Sequence, residues 1–212
     1  MILDTGAELR VSGPTEARAV VCVGGGRHRE VPGAWSASIE WLVERLAPRL
    51  PQLGFAEVRY RVRSWQRLEW CIEDARAAVR EVGAAHTLLL GFSMGGAVAI
   101  AAADEAGVED VVGLAPWIPD QLGLQGLRSK RLTVVHGALD RWFPGIPGVS
   151  ARHSRKGFER ALAAGAEGRY VLIPGALHGV ALHAPWGGLL ALPRAERWSA
   201  LVEEELQRFA AS

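Results

Sequence analysis

The chain alternates between short, uninterrupted apolar runs and longer stretches in which apolar residues recur every three or four positions. Uninterrupted runs are typical of strands covered on both faces, and the longer spacing is typical of helices that bury one face. Strand–helix alternation predicts an α/β fold, a mostly parallel sheet with helices on both faces. We predict strands at 8–11 (an edge strand), 17–23, 55–63, 87–90, 109–114, 131–137 and 169–173. We predict helices at 38–50, 68–82, 94 to about 106, 154–164 and about 194–209.

A serine between two glycines stands where one strand meets the helix that follows it. The apolar run 87–90 leads into the segment Gly91-Phe92-Ser93-Met94-Gly95, after which small apolar residues continue. A turn this tight leaves little room for a Cβ two residues to either side of the serine, which is the physical reason for Gly91 and Gly95. The pattern is typical of a strained turn that exposes a nucleophilic hydroxyl, although Ser93 could also be an ordinary turn residue.

Two further polar residues follow the ends of later strands. Asp140 comes shortly after the strand 131–137, and His178 comes shortly after the strand 169–173. Because catalytic groups collect at the carboxyl ends of parallel strands, we expect both side chains to lie beside Ser93. An imidazole can take the proton of a serine hydroxyl, and a carboxylate can orient that imidazole and stabilise its cation. Ser93, His178 and Asp140 are therefore the predicted catalytic residues.

The acid and the base each have a competitor in the sequence. Asp120 is an alternative acid, since Asp140 could instead cap a helix or a turn, and His183 is an alternative base. We favour Asp140 and His178 because of their positions after strand ends. His136 lies inside a predicted strand and is interpreted as a core residue.

A run of glycines, Gly24-Gly25-Gly26, ends the strand 17–23 and offers free backbone N–H groups. A tetrahedral intermediate of acyl transfer needs two such donors at its negative oxygen. We predict that the N–H of Met94 is one donor of this oxyanion hole and that Gly25 or Gly26 supplies the other.

These segments together resemble the α/β-hydrolase superfamily, in particular small capless members similar to dienelactone hydrolases and short carboxylesterases. The resemblance covers about 17–209 and rests on the glycines 24–26, the segment 91–96, Asp140 within 136–140 and His178 within 175–179. It implies a single α/β-hydrolase domain in which serine, acid and histidine follow in that order. One position departs from the pattern, since Gly24 stands where the family often has a histidine. Too few residues separate the strands that end at 114 and begin at 131 for an inserted cap, so we expect an open catalytic face.

Composition limits the class of protein and its partners. The 212 residues are 49% hydrophobic and 22% charged, with a formal net charge of +1, which favours one compact soluble domain over 1–212. Arginines are spread among acidic residues, so we expect no nucleic-acid partner. No apolar run reaches the roughly 18 residues of a membrane span, and 1–10 lack the pattern of a secretory leader, so we expect a cytoplasmic protein without a membrane partner.

Metal and cofactor chemistry is not expected. The two cysteines, Cys22 and Cys71, are predicted to be buried thiols, and no cysteines or histidines show zinc spacing. We predict no cofactor and no metal, a small-molecule ester or thioester as the partner, and we leave a homodimer open.

Tryptophans are the best candidates for the walls of a substrate pocket. Five of them follow predicted strand ends or the glycine run, namely Trp35, Trp65, Trp117, Trp142 and Trp186. We select Trp117 and Trp142 as substrate-binding residues for an apolar or aromatic group, the alternative being ordinary packing of loops on the core. The segments 141–152 and 183–193 are expected to shape the pocket, but the sequence does not predict their conformation.

Three arginines, Arg59, Arg61 and Arg63, share one face of the predicted strand 55–63. This row could bind an anionic substrate, but we favour solvated side chains on a partly exposed strand.

The leading functional hypothesis is a serine hydrolase that cleaves a carboxylic ester or thioester through an acyl-enzyme on Ser93. One alternative is an amide or peptide hydrolase that uses the same residues. Another is a non-catalytic protein that binds a small molecule on the same fold, since a fold alone does not fix function.

Overall fold

A computed structural model describes residues 1–141 and 148–212, and its central element is a seven-stranded sheet. The strands in chain order are β1 (Glu8–Ser12), β2 (Arg18–Val23), β3 (Gly54–Arg59), β4 (His86–Phe92), β5 (Val108–Leu114), β6 (Arg131–Gly137) and β7 (Glu167–Ile173). Their order across the sheet is β1-β3-β2-β4-β5-β6-β7. Only the edge strand β1 runs antiparallel to its neighbour. The predicted, mostly parallel sheet is confirmed.

Helices cover both faces of this sheet. They are α1 (Ala37–Leu46), α2 (Leu68–Val82), α3 (Met94–Ala101), α4 (Ala151–Ala163) and α5 (Ala195–Ala211). One core cluster joins the sheet to α2, α3 and α4, and a second joins the other face to α1 and α5. Trp198 of α5 and Met94 of α3 are fully buried in these two cores. The predicted arrangement of helices on both faces is confirmed.

Several element ends differ from the predicted ones, for local reasons. The helix predicted at 38–50 ends as α1 at Leu46 and continues as a 3-10 turn, Ala47–Arg49, that contains Pro48. Proline has no N–H to donate and its ring crowds the preceding turn, so the α-helix cannot continue through it. At the start of α4, the Ser150 side chain accepts a hydrogen bond from the N–H of His153, and this cap begins the helix three residues earlier than predicted.

The connection between β5 and β6 is short and carries no α-helix. Residues 115–130 contain one 3-10 turn, Gln125–Leu127, and nothing in this connection covers the carboxyl ends of the strands as a helical cap. This connection therefore contains no inserted cap, as the spacing of these strands predicts.

A small hairpin follows the seventh strand, within a segment whose conformation the sequence did not predict. Its strands are β8 (Ala181–His183) and β9 (Leu189–Ala191), which pair antiparallel. Gly187 and Gly188 turn the chain with φ of +93° and +79°, a backbone region that glycine adopts without strain. Trp186, in this turn, is 80% exposed.

No helix in the described ranges, 1–141 and 148–212, has both the length and the apolar character needed to cross a membrane.

Candidate active site

Ser93 occupies a strained turn between β4 and α3. Its backbone has φ of 57° and ψ of −117°, a conformation that residues with a side chain rarely adopt. The surroundings hold it there, because its N–H donates to the carbonyl of Leu114 at 2.8 Å and its carbonyl accepts from the N–H of Gly96 at 2.9 Å. The strain is therefore fixed by the ends of β5 and α3.

The two flanking glycines are required by close backbone contacts. A Cβ on Gly91 would lie 2.2 Å from the carbonyl oxygen of Gly95, and a Cβ on Gly95 would lie 2.4 Å from the carbonyl oxygen of Val23. Both distances are far below a van der Waals contact. The turn therefore presses against itself and against the end of β2, as the glycine spacing predicts.

The structure brings Ser93, His178 and Asp140 together. His178 lies in the loop after β7, and its Nε2 is 3.0 Å from Oγ of Ser93. Its Nδ1 is 2.7 Å from Oδ2 of Asp140, which lies in the loop after β6. Because a carboxylate only accepts, the Nδ1–H of His178 donates to Asp140 and its Nε2 is left to accept from the serine hydroxyl.

Asp140 is almost completely buried and is surrounded by donors. Its Oδ1 accepts from the N–H of Val149 at 3.1 Å. Burial raises the pKa of the carboxyl, but hydrogen bonds from His136 and His178 outweigh this effect and bring the pKa below its ordinary value. The acid is therefore held in the charged form that an imidazole partner needs.

His136 is a site residue that the sequence analysis placed only in the core. It is fully buried in β6, and its Nε2 is 3.1 Å from Oδ2 of Asp140 and 2.9 Å from the carbonyl oxygen of Val149. Its ring stacks on Tyr170 with centroids 6.3 Å apart. The signal available in the sequence was the position of His136, four residues before Asp140 at the end of a predicted strand.

The other candidates for acid and base have different partners. Asp120 is exposed and pairs with Lys156 at 2.8 Å. His183 lies on the rim of the cavity in front of Ser93, and its Nε2 pairs with Oε2 of Glu40 at 2.6 Å.

The predicted oxyanion donors lie around the serine. Within residues 1–141 and 148–212, the N–H groups of Gly25, Gly26 and Met94 have no hydrogen-bond acceptor. A Cβ on Gly25 would lie 3.4 Å from Cβ of Ser93, so the glycine run passes directly beside the nucleophile candidate. Met94 is the first residue of α3, where the helix dipole favours negative charge. These N–H groups can donate hydrogen bonds to the negative oxygen of a tetrahedral intermediate whose carbon is bonded to Oγ of Ser93.

A cavity of about 360 Å³ opens in front of Ser93 and His178. Its walls include Gly25, Gly26, Trp35, Trp65, Phe92 and Leu182. The Phe92 ring packs against the His178 ring with centroids 5.2 Å apart. The wall beside the polar centre is therefore largely apolar, and Arg27 and Arg63 also line the cavity.

The tryptophans are arranged differently from the prediction. Trp117, selected as a substrate-binding residue, does not line this cavity; it lies behind Trp65, with ring centroids 6.3 Å apart, and borders two neighbouring depressions. Trp142 lies outside the described residues. The aromatic wall is formed by Trp65 and Trp35 because the segments 24–37 and 60–65 fold over the carboxyl end of the sheet.

Two anchoring contacts were also missed. The Tyr60 hydroxyl donates to the carbonyl of Gly24 at 3.2 Å and holds the glycine run that lacks a histidine at this position. The Ser38 hydroxyl oxygen accepts from the N–H of Val180 at 3.0 Å and holds the segment after His178. These contacts join residues far apart in sequence, so no local pattern reveals them.

The described ranges hold no group of three or more histidine, cysteine or acidic side chains that could bind a metal ion. Cys22 and Cys71 are free and buried, and burial raises the pKa of Cys71 to about 11.

Comparison with known proteins gives likenesses of structure. No family model matches the sequence, and no curated protein is significantly similar to it. Est1E from Butyrivibrio proteoclasticus is similar over 100% of this chain and 99% of its own, with a TM-score of 0.67 and 12% identity. An α/β serine hydrolase homologue from Coxiella burnetii is similar over 95% of this chain and 90% of its own, with a TM-score of 0.61 and 16% identity.

A thermophilic esterase, Est2, from Thermogutta terrifontis is similar over 96% of this chain and 86% of its own, with a TM-score of 0.63 and 17% identity. At such low identity these likenesses carry information about the fold. Since they extend over nearly the whole chain, the protein has the α/β-hydrolase fold.

Proposed function

We propose that the protein is a serine hydrolase that cleaves a carboxylic ester or thioester through an acyl-enzyme on Ser93. The observation that carries the proposal is the imidazole of His178, which lies 3.0 Å from Oγ of Ser93 and 2.7 Å from Oδ2 of Asp140. A hydroxyl, an imidazole and a buried carboxylate in this order form the arrangement that activates a serine nucleophile.

In the first step, Oγ of Ser93 attacks the substrate carbonyl while Nε2 of His178 takes the hydroxyl proton. Asp140 keeps the proton of the imidazole on Nδ1 and stabilises the imidazolium that forms. The depressed pKa of Asp140 keeps this carboxylate charged at neutral pH.

The negative oxygen of the tetrahedral intermediate accepts hydrogen bonds from the N–H of Met94 and from Gly25 or Gly26. When the intermediate collapses, the alcohol or thiol leaves with the proton from His178, and an acyl group remains on Ser93. A water molecule, deprotonated by His178, then attacks the acyl carbonyl and releases the acid.

An ester is preferred over an amide as the substrate because one of the similar structures is called an esterase, the Thermogutta terrifontis protein. The cavity beside Ser93 has a volume of about 360 Å³, which is enough for a small ester.

The test combines labelling and turnover. A fluorophosphonate probe is expected to label Ser93, located by mass spectrometry of the digested protein, and short p-nitrophenyl esters are expected to be hydrolysed. Ser93→Ala should remove both, with kcat lower by about 10³-fold or more.

Ser12→Ala is the matched control, because Ser12 is an exposed residue at the end of the edge strand. Turnover by a folded Ser93→Ala protein would contradict the role of Ser93 as the nucleophile. Absence of labelling in the folded unmodified protein would contradict the proposal and favour a binding protein.

A further inference from the structure

Arg59 is the last residue of β3, and Arg61 and Arg63 follow it at alternate positions. Arg63 differs from the other two in its contacts. Arg59 forms an ion pair with Glu8, and Arg61 lies 3.4 Å from the buried Asp74. Arg63 has neither an ion pair nor a side-chain hydrogen bond with any residue of 1–141 or 148–212, and its Nε, like that of Arg61, is buried without a hydrogen-bond acceptor. A buried, unpaired donor of a charged group costs free energy, so it calls for an explanation.

Arg63 lines the cavity that contains Ser93 and His178, and Arg27 lines the same cavity. None of the described residues that line this cavity is an aspartate or a glutamate. The described part of the cavity wall therefore holds two guanidinium groups and no carboxylate.

Acidic side chains in the neighbourhood are already engaged elsewhere. Glu30 pairs with Arg67 at 2.7 Å. Glu40 pairs with Arg10 at 3.1 Å and with His183 at 2.6 Å. Glu40 reaches the rim through His183, but neither of these glutamates pairs with Arg27 or Arg63.

Backbone hydrogen bonds fix the two arginines on adjacent segments. The N–H of Arg63 donates to the carbonyl of Val31 at 2.9 Å, and the N–H of Trp65 donates to the carbonyl of Arg27 at 2.9 Å. Burial and the nearby charge of Arg27 both lower the pKa of Arg63. Two like charges are thus held close together in a partly desolvated wall, an arrangement that an anion stabilises.

The anion would lie close to the reacting centre. Arg27 is two residues after Gly25, which passes beside Ser93, and Arg63 is two residues before Trp65, which packs on Gly26. A ligand spanning from these arginines to the serine remains within the same cavity.

We infer that Arg63 and Arg27 form an anion-binding subsite and that the substrate is an ester carrying a carboxylate or phosphate group apart from the bond that is cleaved. This inference rests on the proposed function and names the substrate class of that site. A planar guanidinium binds either anion through two parallel hydrogen bonds, so the shared chemistry is a group with two or more charged oxygens.

The first test compares two esters that differ in one group. The acyl chains of p-nitrophenyl hexanoate and mono-p-nitrophenyl adipate have the same length, but only the adipate ends in a carboxylate. We expect kcat/KM to favour the adipate, and Arg63→Gln to lower the adipate-to-hexanoate ratio by about tenfold or more. Arg27→Gln should lower the ratio less, since Arg27 is more exposed.

Arg152→Gln is the control for net charge, because it removes the same charge from an exposed helix residue that does not line the cavity. Its ratio should equal that of the unmodified protein. Arg63→Lys keeps the charge without the planar fork, so it should retain part of the preference. If circular dichroism shows that Arg63→Gln does not fold, the adipate-to-hexanoate ratios of Arg63→Lys and Arg27→Gln decide the question.

The second test does not need turnover. Binding of monomethyl adipate, dimethyl adipate and inorganic phosphate to Ser93→Ala protein is measured by calorimetry. Tighter binding of monomethyl adipate than of the dimethyl ester, lost on adding Arg63→Gln, supports a carboxylate subsite, and phosphate binding with the same dependence on Arg63 supports a phosphate subsite. Equal binding of both esters together with no phosphate binding would overturn the inference.

The two proposals fail in different ways. If the fluorophosphonate probe labels Ser93 and both esters are cleaved at a ratio that Arg63→Gln leaves unchanged, the subsite is wrong and the hydrolase stands. If Ser93 is not labelled and neither ester is cleaved, the hydrolase is wrong, and the calorimetry still decides whether Arg63 binds an anion.

Discussion

The Nε2 atom of His136 lies 3.1 Å from Oδ2 of Asp140, with both side chains fully buried. The same nitrogen is 2.9 Å from the carbonyl oxygen of Val149, so it carries a hydrogen that both oxygens share. Since Nδ1 of His178 lies 2.7 Å from the same Oδ2, the carboxylate is fixed from two sides. We expect His136 to act as a positioning residue for the acid.

Replacement of His136 by phenylalanine removes a donor to Asp140 and keeps a ring in the core. Burial then raises the pKa of the carboxyl with less opposition, so the part of the acid limb of the kcat/KM profile that reflects protonation of Asp140 should move to higher pH. We also expect kcat/KM at neutral pH to fall by about tenfold, the effect of one hydrogen bond to a charged group. The measurement is the pH dependence of p-nitrophenyl acetate hydrolysis.

His136→Gln restores an N–H donor and should return the acid limb toward its original position. His86→Gln is the matched control, because His86 is exposed and pairs with Glu109 away from the cavity. An unchanged acid limb in folded His136→Phe protein would mean that the contact serves the core alone.

The depressed pKa of Asp140 also predicts how stability depends on pH. A carboxyl whose pKa is lowered by folding stabilises the protein fully above its unfolded pKa of about 3.9, and this contribution is lost as the pH falls through the lower folded pKa. Asp140→Asn lacks the contribution. The difference in free energy of unfolding between the two proteins should therefore shrink as the pH falls from about 5 to 2.5 in urea titrations.

Asp120→Asn is the comparison for that experiment. The pKa of Asp120 is lowered too, chiefly by a hydrogen bond from Lys156. Because Asp120 is exposed, this ion pair should contribute little to stability. Equal pH dependence for Asp120→Asn and Asp140→Asn would show that burial of Asp140 adds nothing.

A third prediction concerns the tight turn. Gly91→Ala places a Cβ 2.2 Å from the carbonyl oxygen of Gly95, and backbone cannot move aside as a side chain can. We expect the free energy of unfolding to fall by about 1–3 kcal/mol or more, as for other overpacked sites. Fluorophosphonate labelling of Ser93 should also be slower. Urea unfolding and labelling rates measure the two effects.

Gly123→Ala is the control, since its new Cβ would meet only the movable end of the Gln125 side chain at 3.0 Å. Similar losses in both variants would show that the glycine spacing around Ser93 has no special steric role.

The sheet and the turn could be predicted because both are encoded locally. Uninterrupted apolar runs mark buried parallel strands, and Gly91 is required by a contact with Gly95 within the same segment. The juxtaposition of Asp140 and His178 with Ser93 could be predicted as well, because parallel strands all deliver their carboxyl ends to one edge.

The walls of the cavity could not be predicted, because they depend on how distant loops pack. Trp35 and Trp117 both follow strand or glycine segments in the sequence, yet only Trp35 reaches the cavity. The unpaired state of Arg63 among the described residues could not be predicted either, because it depends on acidic residues of other elements. Glu8 pairs with Arg59 and Asp74 pairs with Arg61.

The last prediction separates the tryptophans by their positions. Trp35 lines the cavity and is held from outside by the guanidinium groups of Arg10 and Arg59, at 4.6 Å and 5.7 Å from its ring. Loss of its apolar surface should weaken binding of longer acyl chains, so Trp35→Ala should raise KM for p-nitrophenyl hexanoate about fivefold or more and affect the acetate less.

Trp186→Ala is the matched control, because Trp186 is 80% exposed at the hairpin turn and does not line the cavity. Trp117→Ala tests the residue selected from the sequence, and from its place behind Trp65 we expect a smaller effect on KM than for Trp35→Ala. If Trp117→Ala raised KM for the hexanoate more than Trp35→Ala does, the acyl chain would bind on the Trp117 side of Trp65. That outcome would move the acyl-binding wall to the depression between α2 and α3, which Trp65 and Trp117 line together.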